Sequence, residues 1–476
     1  MKRLLVSAMV IGVVVSAQAG FWDALDKVQK TVNTVKAVGE VLDSSRSANA
    51  QTTAEAKVAS ETKPVTQAAT TVQSTAASVA AVAEASPTEI AAFAGSRTTA
   101  TDTAVPEIKY GTVYVKKPAT PEQIAEAKSG WLKEGKKLNN LSIRFENVDD
   151  ATLAATLAAF HQARSVNLDK SPAVTTLAPF ALMRNAQTLY FNKAPATDLK
   201  PLAGLAKLKT LSLKYSTVGD MTPLATLTAL EDFDLYGATL TSGFTPLAEC
   251  PKLKKICYYA TKLEPALYDT LGDLKQVKNF DGGLSKMTSL AWLRRVPNAE
   301  ELQVFAEKVE DYEAIGTVTA LKKVRLWELD GGRMANKLGD LKFLAACKNL
   351  EIVELPGSDY TNLPVLGTLP KLREISLNGA VAPVDLAFLK ATPNVTKLTI
   401  SKPKAAVTGF ETIATLVNLE SLDIQKIPGV TSISSLTACT KLKDLVVSKD
   451  AYPVAETDAL DALIKKNNKY GKVRLY

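Results

Sequence analysis

One apolar spacing recurs along the chain and restricts its fold more than any other feature. In "PLAGLAKLKTLSL" the residues Leu202, Leu205, Leu208, Leu211 and Leu213 stand three, three, three and two apart. "PLATLTALEDFDL" repeats the pattern with Leu224, Leu227, Leu230, Phe233 and Leu235. "PLAECPKLKKICY" repeats it again with Leu247, Cys250, Leu253, Ile256 and Tyr258. Similar phrases close at Leu326, Leu355, Leu377, Ile400, Ile424 and Val447, with most steps 22 to 24 residues long. The three-spaced part is helix-like or turn-like, and the closing pair has the two-residue period of a strand. A unit this short cannot bury its leucines alone, so each must be covered by the next one in a stack. The expected fold class is an α/β repeat solenoid of about 13 or 14 stacked parallel strands, in which pairing leaves open edges only at the two ends.

The repeats are expected over residues 138–449, with an N-terminal cap over 106–137 and a C-terminal cap of helix plus last strand over 450–476. In the first cap, "EIKYGTVYV" predicts a short strand pair, and Pro121 to Lys133 predicts a helix with proline in its first turn. Between Thr261 and Val318 the phrases blur, and Pro297 to Val304 recovers the register. Gly282-Gly283 and Gly331-Gly332 predict loops bulging from the stack.

Ahead of the caps lie two segments of different character. Lys2 and Arg3, the apolar run Leu4 to Ala17 and the small residues of Ala17-Gln18-Ala19 predict a secretion signal over 1–19. No later apolar run approaches the ~20 residues of a membrane span, so no transmembrane segment is expected once the signal is removed. Residues 20–105 open with an amphipathic stretch, Phe21 to Leu42, and continue as an Ala, Thr, Ser and Val tract. Val58, Val65, Val72 and Val79 recur every seven residues, while Pro64 interrupts them. Two readings stand: a helical or disordered stalk, or a weak coiled coil that makes a homo-oligomer through residues 21–93. Export places the protein in the periplasm, on the cell surface or in the medium.

This repeat resembles the leucine-rich-repeat family, and the Pro-Leu pairs 201–202, 223–224 and 246–247 resemble the internalin-like bacterial subtype. The resemblance implies a horseshoe with parallel β-strands on its concave face. It also implies an asparagine ladder in the turn after each strand, yet those positions hold Ser216, Ala238, Thr261, Ser358 and Ala380. The ladder is therefore expected to be largely lost.

Little in the chain points to chemistry. Cys250, Cys347 and Cys439 share one repeat position, filled elsewhere by Leu205, Leu227, Leu369 and Leu416, so they read as small core hydrophobes. Cys257 falls between two strand apolar positions and should face outward, and no disulfide or zinc site is expected. His161, the one histidine, has no candidate nucleophile spaced around it. No phosphate-binding glycine loop is present, so neither enzyme activity nor a cofactor is expected. The net charge of +8 is spread over 476 residues and argues against a nucleic-acid partner.

Binding is expected on the concave face. Between the strand apolar positions lie Tyr190, Ser212, Asp234, Cys257, Arg325, Glu354, Ser376, Thr399, Asp423 and Val446. Just after them lie Asn192, Lys214, Tyr236, Tyr259, Trp327, Asn378, Ser401 and Gln425. Exposed Tyr, Trp and Arg anchor interfaces, so the expected ligand-binding set is Tyr190, Lys214, Tyr215, Asp234, Tyr236, Tyr259, Arg325 and Trp327. The partner expected there is a protein or a glycan. The alternative is an envelope scaffold, oligomerised through its N-terminal coil.

Overall fold

The structure, a computed structural model, describes residues 102–476 apart from 170, 194–197, 284–286, 307–308, 310, 331–332 and 335. For 305–306, 327–330, 333–334 and 336–337 it describes the backbone alone. The secretion signal, nearly all of the expected stalk or coil, and the Gly331-Gly332 pair lie outside the described residues. Contacts divide the chain into two compact units, the first made of 1–68 with 331–333. Every side chain described below belongs to the second, 69–330 with 334–476.

This unit opens with Glu107–Lys109 paired antiparallel to Thr112–Val115. Helix α1 (Pro121–Lys133) starts with a reciprocal cap: Thr120 Oγ1 accepts from the Gln123 amide, and the Gln123 side chain accepts from the Thr120 amide. Its buried residues are Ile124 and Trp131. Helix α2 (Asp150–Ala159) is capped by the Asp149 carboxylate, which accepts from the Thr152 amide at 2.8 Å. Its alanine-rich sequence favours a true α-helix where later repeats carry a tighter turn.

From Thr112–Val115 onward, fifteen successive parallel pairings join sixteen strands, ending at Val473–Leu475. The count exceeds the sequence expectation because one strand from each cap joins the ladder. Thr112–Val115 pairs directly with Ser142–Phe145. The blurred region keeps register too: Ile256, Phe280, Leu302 and Val324 are successive partners. Gly282 is the last residue of the strand Asn279–Gly282 and is buried, so it is no bulging loop.

The three-spaced leucines owe their spacing to 3-10 turns, in which residues three apart eclipse one another. The amide of Leu202 donates to Leu199 O, that of Leu205 to Leu202 O, and that of Leu208 to Leu205 O. Leu224, Leu227 and Leu230 form the same chain one repeat later. Pro201, Pro223 and Pro246 sit in the first turns, where a missing N–H costs nothing. Helix α3 (Val454–Asn467) buries Leu460 and Ile464 against the final repeat.

Backbone carbonyls along the stack find three kinds of side-chain partner. In the turn after the strand, Ser216 Oγ donates to Phe191 O and Thr261 Oγ1 to Leu235 O, each at 2.9 Å. The asparagine ladder of that turn is thus replaced in part by hydroxyls, while Ala238 and Ala380 simply fill the space. Amides reappear just before the leucine that leads into the strand: Asn349 donates to Thr319 O, Asn394 to Pro370 O, Asn418 to Pro393 O and Gln276 to Leu247 O. The thiols of Cys250, Cys347 and Cys439 donate to Leu224 O, Ile315 O and Ile413 O in the preceding repeat, at 3.2, 3.6 and 3.5 Å. These cysteines are leucine substitutes that also carry a weak donor.

Thr261→Val keeps the shape but removes one of two donors to the buried Leu235 carbonyl, which keeps the Ala238 amide. It is expected to lower unfolding free energy by about 0.5–1.5 kcal/mol, read as a drop in the urea midpoint at unchanged slope.

At the rim where the strands begin, charges alternate from rung to rung. Glu231 joins Lys209 at 3.0 Å and Lys254 at 3.4 Å, and Glu300 joins Lys278 at 3.5 Å and Lys322 at 2.7 Å. Glu351 joins Arg373 at 3.0 Å and Glu420 joins Lys443 at 2.8 Å. Each exposed pair is worth little by itself.

Candidate ligand-binding face

Strand residues whose side chains leave the core form rows across the rungs, because strand side chains alternate and parallel partners stay in register. One row runs Tyr190, Ser212, Asp234, Cys257, Asp281, Gln303, Arg325 and Glu354. Two residues further along each strand a second row carries Asn192, Lys214, Tyr236 and Tyr259. Next comes a turn position with positive φ, filled by Lys193 (60°), Tyr215 (57°), Gly237 (66°) and Ala260 (54°).

That left-handed turn brings three tyrosines together. Tyr215 and Tyr236 meet edge to face with ring centroids 5.3 Å apart, and Tyr236 and Tyr259 lie tilted at 5.0 Å. Gly237 makes room for this, since a β-carbon there would stand 2.6 Å from Tyr215 Cδ1. Lys193 Nζ sits 5.6 Å from the centre of the Tyr215 ring, within cation–π range. Tyr215 is half exposed, whereas Tyr236 and Tyr259 are partly covered.

Beneath the rings lies a polar floor. Lys214 Nζ pairs with Asp234 at 2.9 Å, and Asp234 Oδ1 accepts from the Tyr236 amide at 3.1 Å. The hydrogen bond to Asp234 raises the Lys214 pKa. Burial, assisted by a hydrogen bond with Tyr215, pushes the Tyr236 phenol up to about 12, so it stays a hydrogen-bond donor at any physiological pH. Burial pushes the Cys257 thiol up to about 11 and makes it a poor nucleophile. Ser212 Oγ donates to Asn192 Oδ1 at 3.0 Å on the neighbouring rungs.

The eight residues expected to bind fall into separate groups. Lys214, Tyr215, Asp234, Tyr236 and Tyr259 form one cluster. Tyr190 lies two rungs before Asp234 in the same row. Arg325 lies three rungs beyond Cys257, about 14 Å away at the usual rung spacing, and pairs with Glu354 at 2.9 Å. Trp327 belongs to the strand Lys323–Asp330, and its side chain is outside the described residues.

Ser212, Ser401 and Val446 occupy outward rows yet are buried, because small side chains there are overhung by larger neighbours. Asp281 belongs to the first row but carries no signal in the sequence, where the repeat phrase around it blurs, whereas Gln303 is marked by its place between Leu302 and Val304 in the recovered phrase. Lys193 is equally silent, since a left-handed turn leaves no apolar signature; its recurrence one residue after the second row is the signal that would find it. Among the described residues no group of three His, Cys, Asp or Glu could hold a metal ion. No described helix is long and apolar enough to cross a membrane.

No family model matches the chain, and no curated protein matches its sequence. Solved structures do. An internalin of Listeria monocytogenes aligns with a TM-score of 0.52 at 18% identity, over 68% of this chain and 87% of its own. A leucine-rich-repeat protein of Leptospira interrogans aligns with a TM-score of 0.52 at 16% identity, over 74% of this chain and 92% of its own. The chain has the leucine-rich-repeat fold that these two bacterial proteins share.

Proposed function

We propose that this is an exported binding protein that recognises a protein or glycan partner through the sheet face centred on Tyr215, Tyr236 and Tyr259. The observation that carries the reading is the tyrosine cluster itself. Three aromatic side chains from successive rungs meet on the sheet's outward side, where the core has no use for them. Lys193, Lys214 and Asp234 surround them with charge that can fix orientation. Large, rigid side chains with a hydroxyl at the tip supply contact area at little entropic cost. The fold supports binding over catalysis by analogy alone, and the tyrosine face carries the rest of the case.

The test is to replace Tyr215, Tyr236 and Tyr259 together by alanine and recover partners from the native surroundings. Interface anchors of this type are worth ~2 kcal/mol or more each, so retention of partners should fall at least tenfold while thermal stability changes little. Unchanged partners at unchanged affinity would remove this face from consideration.

A further inference from the structure

The left-handed turn position is occupied in two contrasting ways near the end of the stack. Gly357 and Gly379 fill it with φ of 64° and 69°, and the next two rungs place Lys402 and Lys426 there with φ of 54° and 51°. One ladder of bonds establishes the equivalence: Gly357 N donates to Asn378 O, Gly379 N to Ser401 O and Lys402 N to Gln425 O, each at 2.7 Å. Lys426 N continues to Ser448 Oγ, and Lys449 N to Tyr476 O. A β-carbon is unfavourable in this conformation, which glycine adopts freely. The chain uses glycine in the two preceding rungs and accepts strain for lysine in these, as it does for Lys193 over the Tyr215 ring.

Lys402, Lys426 and Lys449 are exposed, as is Lys404 two residues beyond Lys402. Among the described residues none of the four forms an ion pair. Asp423 accepts from the backbone and side-chain amides of Gln425, and Asp450 stands beside Lys449; these two carboxylates offset the row in part.

We propose that this row of lysines binds a linear anionic polysaccharide lying across the rungs. The cations follow one another in single file about 5 Å apart per rung, which suits a chain of evenly repeated charges. Gln425 and Ser448 flank them with groups that meet hydroxyls. The outward positions of the same rungs, Thr399, Ser401, Asp423, Gln425, Val446 and Ser448, carry no aromatic ring on which a nucleic-acid base could stack. The site is independent of the tyrosine face, which lies many rungs away.

The experiment measures binding of the full chain to a size-defined heparin oligosaccharide and to polygalacturonate across a salt series. Single-stranded DNA and anionic lipid vesicles are run in parallel. The parent should bind both polysaccharides. The Lys402→Gly/Lys426→Gly variant, which relaxes the turn and should melt no lower than the parent, should bind at least tenfold more weakly. Its slope of log affinity against log salt should be shallower by about two. A Lys209→Gln/Lys443→Gln variant at the opposite rim should behave as the parent. Equal binding by the glycine variant, equal loss in the rim variant, or binding confined to DNA or to vesicles would overturn the proposal.

Discussion

Gly282→Ala should unfold the stack at a temperature well below the parent, at a cost of about 3 kcal/mol or more. Gly282 stands in a row that other strands fill with Leu, Ile, Val, Phe or Tyr, and its φ is 148°, a region that L side chains rarely adopt. A β-carbon there would lie 2.4 Å from Tyr259 N and 2.7 Å from Tyr258 C. Both are backbone atoms of the neighbouring rung, so neither can rotate aside as a side-chain tip would. One rung earlier, Tyr258 occupies the same inward position and is fully buried. Gly379→Ala is the control: it shares a positive φ, but its β-carbon would meet nothing nearer than 3.7 Å. It should cost only the ~1–2 kcal/mol of the left-handed conformation. Equal melting temperatures for the two variants would show that the close approach at Gly282 has no energetic weight.

Stability should also fall steeply as pH rises from 9 towards 11. Burial raises the thiols of Cys250, Cys347 and Cys439 from 9.0 to about 11. The direction follows from linkage. A group whose folded pKa is raised contributes fully below its unfolded pKa and loses that contribution as pH climbs to the folded value. In this window the unfolded chain has released its thiol protons and the folded chain still holds them, so unfolding is favoured by up to ~1.4 kcal/mol per pH unit for each thiol. Tyr258, also raised by burial, adds to the loss above the ordinary phenol range. Urea midpoints at pH 8, 9, 10 and 10.5 would trace the slope. The Cys250→Ala/Cys347→Ala/Cys439→Ala variant should be less stable at pH 8 but decline less steeply. Parallel declines for parent and variant would mean that the buried thiols are not its source.

The repeat itself is legible in the sequence because three-spaced leucines and a two-spaced strand pair are fixed by 3-10 and β geometry, whatever lies between them. Spacing alone places Leu202, Leu205 and Leu208 in the core, and Cys250 as their stand-in. What is not legible depends on a neighbour in space. Gly282 reads as a loop until Tyr258 is known to lie beside it. The turn looks bare of its ladder because serine and threonine do locally what asparagine does elsewhere, while Asn349, Asn394 and Asn418 serve another set of carbonyls. Of the expected binding residues, those in the tyrosine cluster are legible because aromatics stand out at outward positions. Lys193 and Lys402 are not, since backbone handedness at a turn leaves no periodic trace.

The charge pattern at the rim has a period of two rungs, whereas the fold has a period of one. From Lys209 through Glu231 to Lys254 the signs alternate, and from Lys278 through Glu300, Lys322 and Glu351 to Arg373 they alternate again. Within either block, a single repeat inserted or removed would set lysine against lysine or glutamate against glutamate. Two repeats would leave every contact with its proper partner. Parity therefore makes the pair of repeats the unit by which this stack lengthens or shortens without electrostatic cost. One break in phase, Lys254 beside Lys278, falls where the strand of Tyr258 meets the strand of Gly282, and a second falls at the uncharged Thr396 between Arg373 and Glu420. Along this rim the stack carries three charge-phased blocks, each free to change length only by pairs of repeats.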